Sequence, residues 1–144
     1  MKSRFSIFLF IIFIVSVVIA GWFLNPSGMV HTLSPVVFRE ECMLKRGVML
    51  DVRKKNEFEK SHIPGAFNID MLQPGFREET DSLLDKKIPY FIYSENGHRG
   101  DKAMRILQVS GFNDLYNMRG GYNEWQREGL PIVSSIGDTM KVKS

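Results

Sequence analysis

Cysteine is almost missing from this 144-residue chain, where Cys42 stands alone. That excludes an intrachain disulfide framework and a Cys-rich zinc site. Histidine is scarce too, and His62 has no second ligand at metal spacing; neither a metal nor a cofactor is expected. A concentrated basic face is also lacking. The formal charge is only +3, and once Lys2 and Arg4 are set aside the remaining cations nearly balance 16 acidic residues. A nucleic-acid binder needs clustered cations interleaved with aromatics, and the short Lys141, Lys143 tail does not supply them. No internal repeat and no low-complexity tract is present, and the length leaves room for one globular domain of ordinary size.

Charge is absent in one further place. From Phe5 to Leu24 the chain is dense in Phe, Ile, Leu and Val, and at about 1.5 Å per residue that run is long enough to cross a bilayer core about 30 Å thick. Lys2 and Arg4 on its N-terminal side favour a cytoplasmic N-terminus, with Trp22 and Phe23 at the opposite interface. A cleaved secretory signal is the competing reading, because Val18-Ile19-Ala20 before Gly21 is an acceptable small-residue cleavage site. Both place the domain on the extracytoplasmic side, either anchored through residues 5–24 or released after cleavage near Ala20. The run has no polar face, so a buried helix of a soluble fold is disfavoured.

The expected organisation is a membrane or signal segment over 1–24, a linker over 25–33 broken by Pro26 and Gly28, one domain over 34–132, and a tail over 133–144. Ser34-Pro35 offers an N-cap with Pro at the first helical position, and Val36, Val37, Met43 and Leu44 are expected to form the buried stripe of the helix that follows. Val48–Val52, Ala66–Ile69, Pro89–Tyr93 and Leu115–Met118 are short apolar runs, the pattern of strands buried on both faces. Helix-like segments separate them, over Asn56–Lys60, Phe76–Leu84, Asp101–Ser110 and Tyr122–Glu128. Such alternation predicts an α/β fold with a parallel sheet covered by helices and a site at the carboxyl ends of its strands.

The best site candidate is the loop Ser94-Glu95-Asn96-Gly97-His98-Arg99 with Gly100, between a strand and a helix whose Ala103, Ile106, Leu107 and Ser110 share a face. A loop that opens a helix aims several N–H groups at one point, assisted by the helix dipole, which makes an anion cradle. Arg99 offers it a cationic fork, while Glu95 would repel an anion or pair with Arg99. His98 is the nearest base in sequence, and a solvated loop histidine is its simpler reading. Cys42 reads as a small packed hydrophobe and Trp125 as core.

Asp51-Val52-Arg53, Glu57-Phe58, His62-Ile63-Pro64-Gly65-Ala66, the strand-loop-Arg99 segment, Gly111-Phe112 and Gly120-Gly121 with Trp125 occur in an order that resembles the rhodanese family, from about Ser34 to Ile132. The resemblance implies a five-stranded parallel sheet flanked by helices, and a loop whose first residue is a cysteine that carries sulfane sulfur as a persulfide. In this chain that residue is Ser94. The family pattern Cys-x-x-Gly-x-Arg-Ser reads Ser94-Glu95-Asn96-Gly97-His98-Arg99-Gly100, so the nucleophile is lost while the frame is kept. Its six residues from Ser94 to Arg99 match the sulfurtransferases, since the related phosphatases carry one more. The family parallel makes Asp51 and Arg53 a structural brace.

Oxygen does not hold a transferable sulfane sulfur as a thiolate does, so persulfide chemistry is not expected. The expectation is a non-catalytic binding or regulatory module that takes a partner protein or a small anion at the Ser94–Arg99 loop. The alternative is an enzyme, either a sulfurtransferase relative with residual activity or a hydrolase using Ser94.

Overall fold

The apolar runs Val48–Asp51 (β2), Tyr90–Tyr93 (β5) and Leu115–Met118 (β6) lie side by side at the centre of a parallel sheet in the computed structural model, which describes residues 31–135. The hydrophobic segment 5–24 and most of the expected linker and tail lie outside the described residues. Among the described residues, no helix is long and apolar enough to cross a membrane. The sheet has five strands in the order β1-β6-β5-β2-β4, where β1 is His31–Leu33 and β4 is Phe67–Asn68, and every pairing is parallel. Register is set across the middle by Leu50 opposite Ile92 and Phe91 opposite Tyr116.

Parallel neighbours require crossovers, and here helices supply them. These are α1 (Pro35–Leu44), α2 (Lys55–Lys60), α3 (Phe76–Leu83) and α4 (His98–Val109), and a further helix, α5 (Gly121–Arg127), follows β6. Because side chains alternate along a strand, β5 sends Tyr90 and Ile92 to one face and Phe91 and Tyr93 to the other. The first face packs Ala103, Met104 and Leu107 of α4 and Phe76 of α3, while the second packs Phe38 and Cys42 of α1 and Tyr122 and Trp125 of α5. Both faces of the sheet are therefore dry, which is why its strands read as unbroken apolar runs.

Three expectations need correction. Residues 31–33 are not linker: they form β1, with Leu33 opposite Met118 and the Leu33 carbonyl accepting the Arg119 N–H at 2.7 Å. Three residues that include His31 and Thr32, on a sheet edge, carry no apolar pattern to read. The tail likewise starts later than residue 133, because Val133–Ser134 (β7) pairs antiparallel with Ser61–His62 (β3) in a separate two-stranded sheet. In α1 the buried residues are Pro35, Phe38 and Cys42, while Met43 and Leu44 are 68% and 78% exposed. Spacings of three and four from Pro35 through Phe38 to Cys42 place the bulky phenyl ring inward, which turns Val36, Val37, Met43 and Leu44 outward.

Candidate functional site

Ser94 follows the last residue of β5 and is fully buried. Its Oγ accepts two backbone N–H groups, from Gly97 and from Gly100, each at 3.1 Å. The hydroxyl oxygen thus sits at the focus where the loop and the first turn of α4 aim their donors. Gly97, with φ of +92°, lets the chain reverse into the helix there. His98 N–H is bonded to Asn96 Oδ1 at 3.2 Å, and both side chains face solvent. Among the described residues no imidazole or carboxylate is bonded to Ser94 Oγ.

The loop is clamped from beneath by α5. The Ser94 carbonyl accepts the Tyr122 N–H at 2.7 Å and the Glu95 carbonyl accepts that of Asn123 at 3.0 Å. So close an approach requires Gly121, since a Cβ there would lie 2.3 Å from the Ser94 carbonyl oxygen, at a φ of +61°. Asn117 of β6 completes the support, donating from Nδ2 to the Gly97 carbonyl at 3.1 Å and to Asp101 Oδ1 at 2.6 Å. It is buried, and a Cβ on Gly100 would come within 2.2 Å of its Oδ1. Sequence reading missed Asn117, although a polar residue inside the apolar run Leu115-Tyr116-Asn117-Met118 was the available signal.

Asp51 and Arg53 are both buried and pair closely, with Arg53 Nη2 at 2.6 Å from Asp51 Oδ2 and Nε at 3.0 Å from both carboxylate oxygens. Arg53 also donates from Nη2 to the Ser61 carbonyl at 2.8 Å, and its guanidinium lies 4.0 Å from the Tyr122 ring centroid. Burial opposes its charge, but the hydrogen bonds and field of Asp51 prevail and hold its pKa above the ordinary arginine value. Burial raises the Tyr93 phenol in the same cluster, and the Asp51 charge adds to the effect.

Both charged residues of the loop are paired outside it. Glu95 does not pair with Arg99; its carboxylate lies 3.6 Å from Arg53 Nη1. The fork of Arg99 is spent on Glu57 of α2, with Nη1 at 2.9 Å from Oε2 and Nη2 at 3.0 Å from Oε1. Glu57 also accepts the Lys54 N–H at 2.7 Å, capping α2. The Arg99 hydrogen bonds hold the Glu57 carboxyl below its usual range, and Glu57 raises Arg99 in return. The pairing spans 42 residues, so no local pattern announces it.

His62 bonds through Nδ1 to the Phe58 carbonyl at 2.9 Å and stacks on the Phe58 ring, bracing the turn that follows α2. Cys42 is buried in α1, packed in the Phe38 cluster on the opposite face of the sheet from α4, and its Sγ donates to the Gly47 carbonyl at 3.3 Å. Burial pushes its thiol up to about 11. Cys42 is therefore expected to resist a disulfide reagent at neutral pH in the native protein and to react at once in denaturant; rapid native labelling would contradict this packing. Among the described residues no cluster of His, Cys, Asp and Glu is arranged to hold a metal.

The geometry gives a loop whose donors converge on one buried atom, behind an arginine tied to a neighbouring helix. Known proteins resemble this chain in sequence and in fold. The family model described as a rhodanese-like domain matches residues 37–128. A Bacillus subtilis protein named YqhL is 28% identical over 87% of this chain and 94% of its own length. Thiosulfate sulfurtransferase 16 of Arabidopsis thaliana is 31% identical over 67% of this chain and 88% of its own. A tRNA uridine(34) hydroxylase of Listeria welshimeri is 37% identical, but the match covers only 32% of that protein. Among solved structures, a rhodanese-like domain of the Anabaena protein Alr3790 superposes with a TM-score of 0.66 at 22% identity, covering 81% of this chain and 93% of that one.

Proposed function

The chain belongs to the family of rhodanese-like domains, and from that premise we propose that it is a non-catalytic binding or regulatory module whose loop meets a partner protein. One observation carries the reading: the atom at the focus of the cradle is the Ser94 hydroxyl oxygen, already holding the Gly97 and Gly100 N–H groups. Oxygen at that position offers no thiolate to take up sulfane sulfur. The loop also has little left for a small anion, because Arg99 is engaged by Glu57 and a carboxylate, Glu95, stands beside it. What it presents to solvent is Asn96, His98 and part of Glu95, a polar surface suited to another protein.

We further propose that residues 5–24 hold this module at a membrane on its extracytoplasmic side, or direct its export with cleavage near Ala20. The support is the uncharged run preceded by Lys2 and Arg4. The intact mass of the protein isolated from cells separates anchor from cleaved signal.

The second reading, an enzyme, is favoured by relatives named as thiosulfate sulfurtransferases. A hydrolase using Ser94 would need a base on its hydroxyl, and among the described residues the hydrogen-bond partners of Oγ are both backbone amides. Purified protein supplied with thiosulfate and cyanide is expected to form no thiocyanate above background and to be unchanged by Ser94→Ala. Titration with thiosulfate, sulfate or phosphate is expected to leave the amide resonances of Gly97, His98 and Arg99 in place. Thiocyanate formation that Ser94→Ala abolishes would establish the enzyme instead.

A further inference from the structure

A cleft opens away from the Ser94 loop. It measures about 680 Å³, within the usual ligand-site range of about 300–1,000 Å³. It lies between α2 and the segment that runs from β4 toward α3, and none of its lining residues belongs to 94–100. Phe58, Ala66 and the 45%-exposed Phe67 give it an apolar wall.

Two features define what fits. First, β4 is the last strand of the sheet among the described residues. Asn68 stands opposite Asp51, and Ile69 N–H is bonded to the Asp51 carbonyl at 3.0 Å. In a parallel ladder this directs the Phe67 and Ile69 backbone groups toward β2 and turns the Asn68 N–H and C=O outward, where Asn68 lines the cleft. An open edge of this kind is a template for an added strand. Second, the lining carries Glu59, Asp70 and Glu79 against one cation, Lys55, whose ammonium lies 3.8 Å from Glu59. Asp70 is buried, and the donors on its carboxylate are uncharged: Leu72 N–H at 2.9 Å and Gln73 Nε2 at 3.2 Å. Among the described residues no cation pairs with Asp70 or Glu79.

We propose that this cleft docks an extended basic segment of a partner protein, which pairs with the outer edge of β4, sets alternate apolar side chains against Phe58 and Phe67, and directs Lys or Arg to Glu59, Asp70 and Glu79. Backbone pairing supplies affinity and the carboxylates choose the sign of the partner. The cleft and the Ser94 loop share no residue, so the two proposals stand or fall separately.

The test uses the full-length chain in a nonionic detergent and a fluorescent capped peptide of roughly eight residues, a usual strand length, alternating Lys and Val. Its anisotropy is expected to rise on binding at low salt, whereas the matching Glu-Val peptide stays free. Glu59→Lys combined with Glu79→Lys, both on exposed side chains, is expected to weaken binding by at least about tenfold. A peptide N-methylated at alternate amides, with charge and side chains kept, is expected to lose it against the unaltered protein. The proposal is overturned if the Lys-Val peptide does not bind, if the Glu-Val peptide binds as well, or if either the N-methylated peptide or the charge-reversed protein retains full affinity. Ser94→Cys is expected to change none of these affinities.

Discussion

Replacing Arg53 by methionine is expected to cost about 3–5 kcal/mol of folding stability, because it leaves the Asp51 carboxylate buried with its ion partner gone. The same change removes the donor that holds the Ser61 carbonyl and the cation that covers the Tyr122 ring. Urea unfolding is the measurement, and with a slope of about 1–3 kcal/mol per molar the midpoint should fall by at least about 1 M. The double replacement Asp51→Leu with Arg53→Met should recover much of the loss, because it removes the charge together with its partner. A single variant within about 0.5 kcal/mol of wild type, the range of an ordinary surface change, would show that Asp51 and Arg53 brace nothing.

Ser94→Cys is expected to change the chemistry most. A sulfur at this position inherits the Gly97 and Gly100 N–H groups and the positive end of α4, which lower a thiol below its ordinary pKa of about 8.5. The thiolate then attacks the sulfane sulfur of thiosulfate, the S–S bond of thiosulfate breaks, and sulfite leaves with its electron pair. Cyanide takes the sulfur from the resulting persulfide as thiocyanate and regenerates the thiolate. Thiocyanate formation is expected to exceed that of the Ser94 protein by about tenfold or more, equivalent to at least about 1.4 kcal/mol of barrier. The intact mass after thiosulfate treatment should rise by one sulfur atom. If the Cys variant folds yet takes up no sulfur, then Glu95 and the Glu57–Arg99 tie have spoiled the cradle as well.

How much of this was legible in the sequence depends on how local each cause is. Val48–Asp51, Tyr90–Tyr93 and Leu115–Met118 announced themselves because burial on both faces leaves an apolar run. The Ser94–Gly100 frame was legible as a loop between a strand and a helix. Two short strands gave no such signal: His31–Leu33 and Val133–Ser134 owe their conformation to partners far along the chain, Tyr116–Met118 and Ser61–His62. The role of Arg99 was misjudged for the same reason. Sequence shows which residues surround a loop but not that Glu57 swings in from another helix to take the guanidinium. In α1 the period was right and the phase was wrong, since several apolar residues compete and only packing decides that Phe38 faces the sheet.

The contact between Gly100 and Asn117 bears on the order in which substitutions in this loop can be accepted. A serine at position 100 would place a Cβ within 2.2 Å of Asn117 Oδ1, while Asn117 holds the Gly97 carbonyl and Asp101. That step is unfavourable until Asn117 itself has changed or moved aside. Positions 100 and 117 are thus coupled by epistasis, a mutational ratchet seated in the floor of the loop.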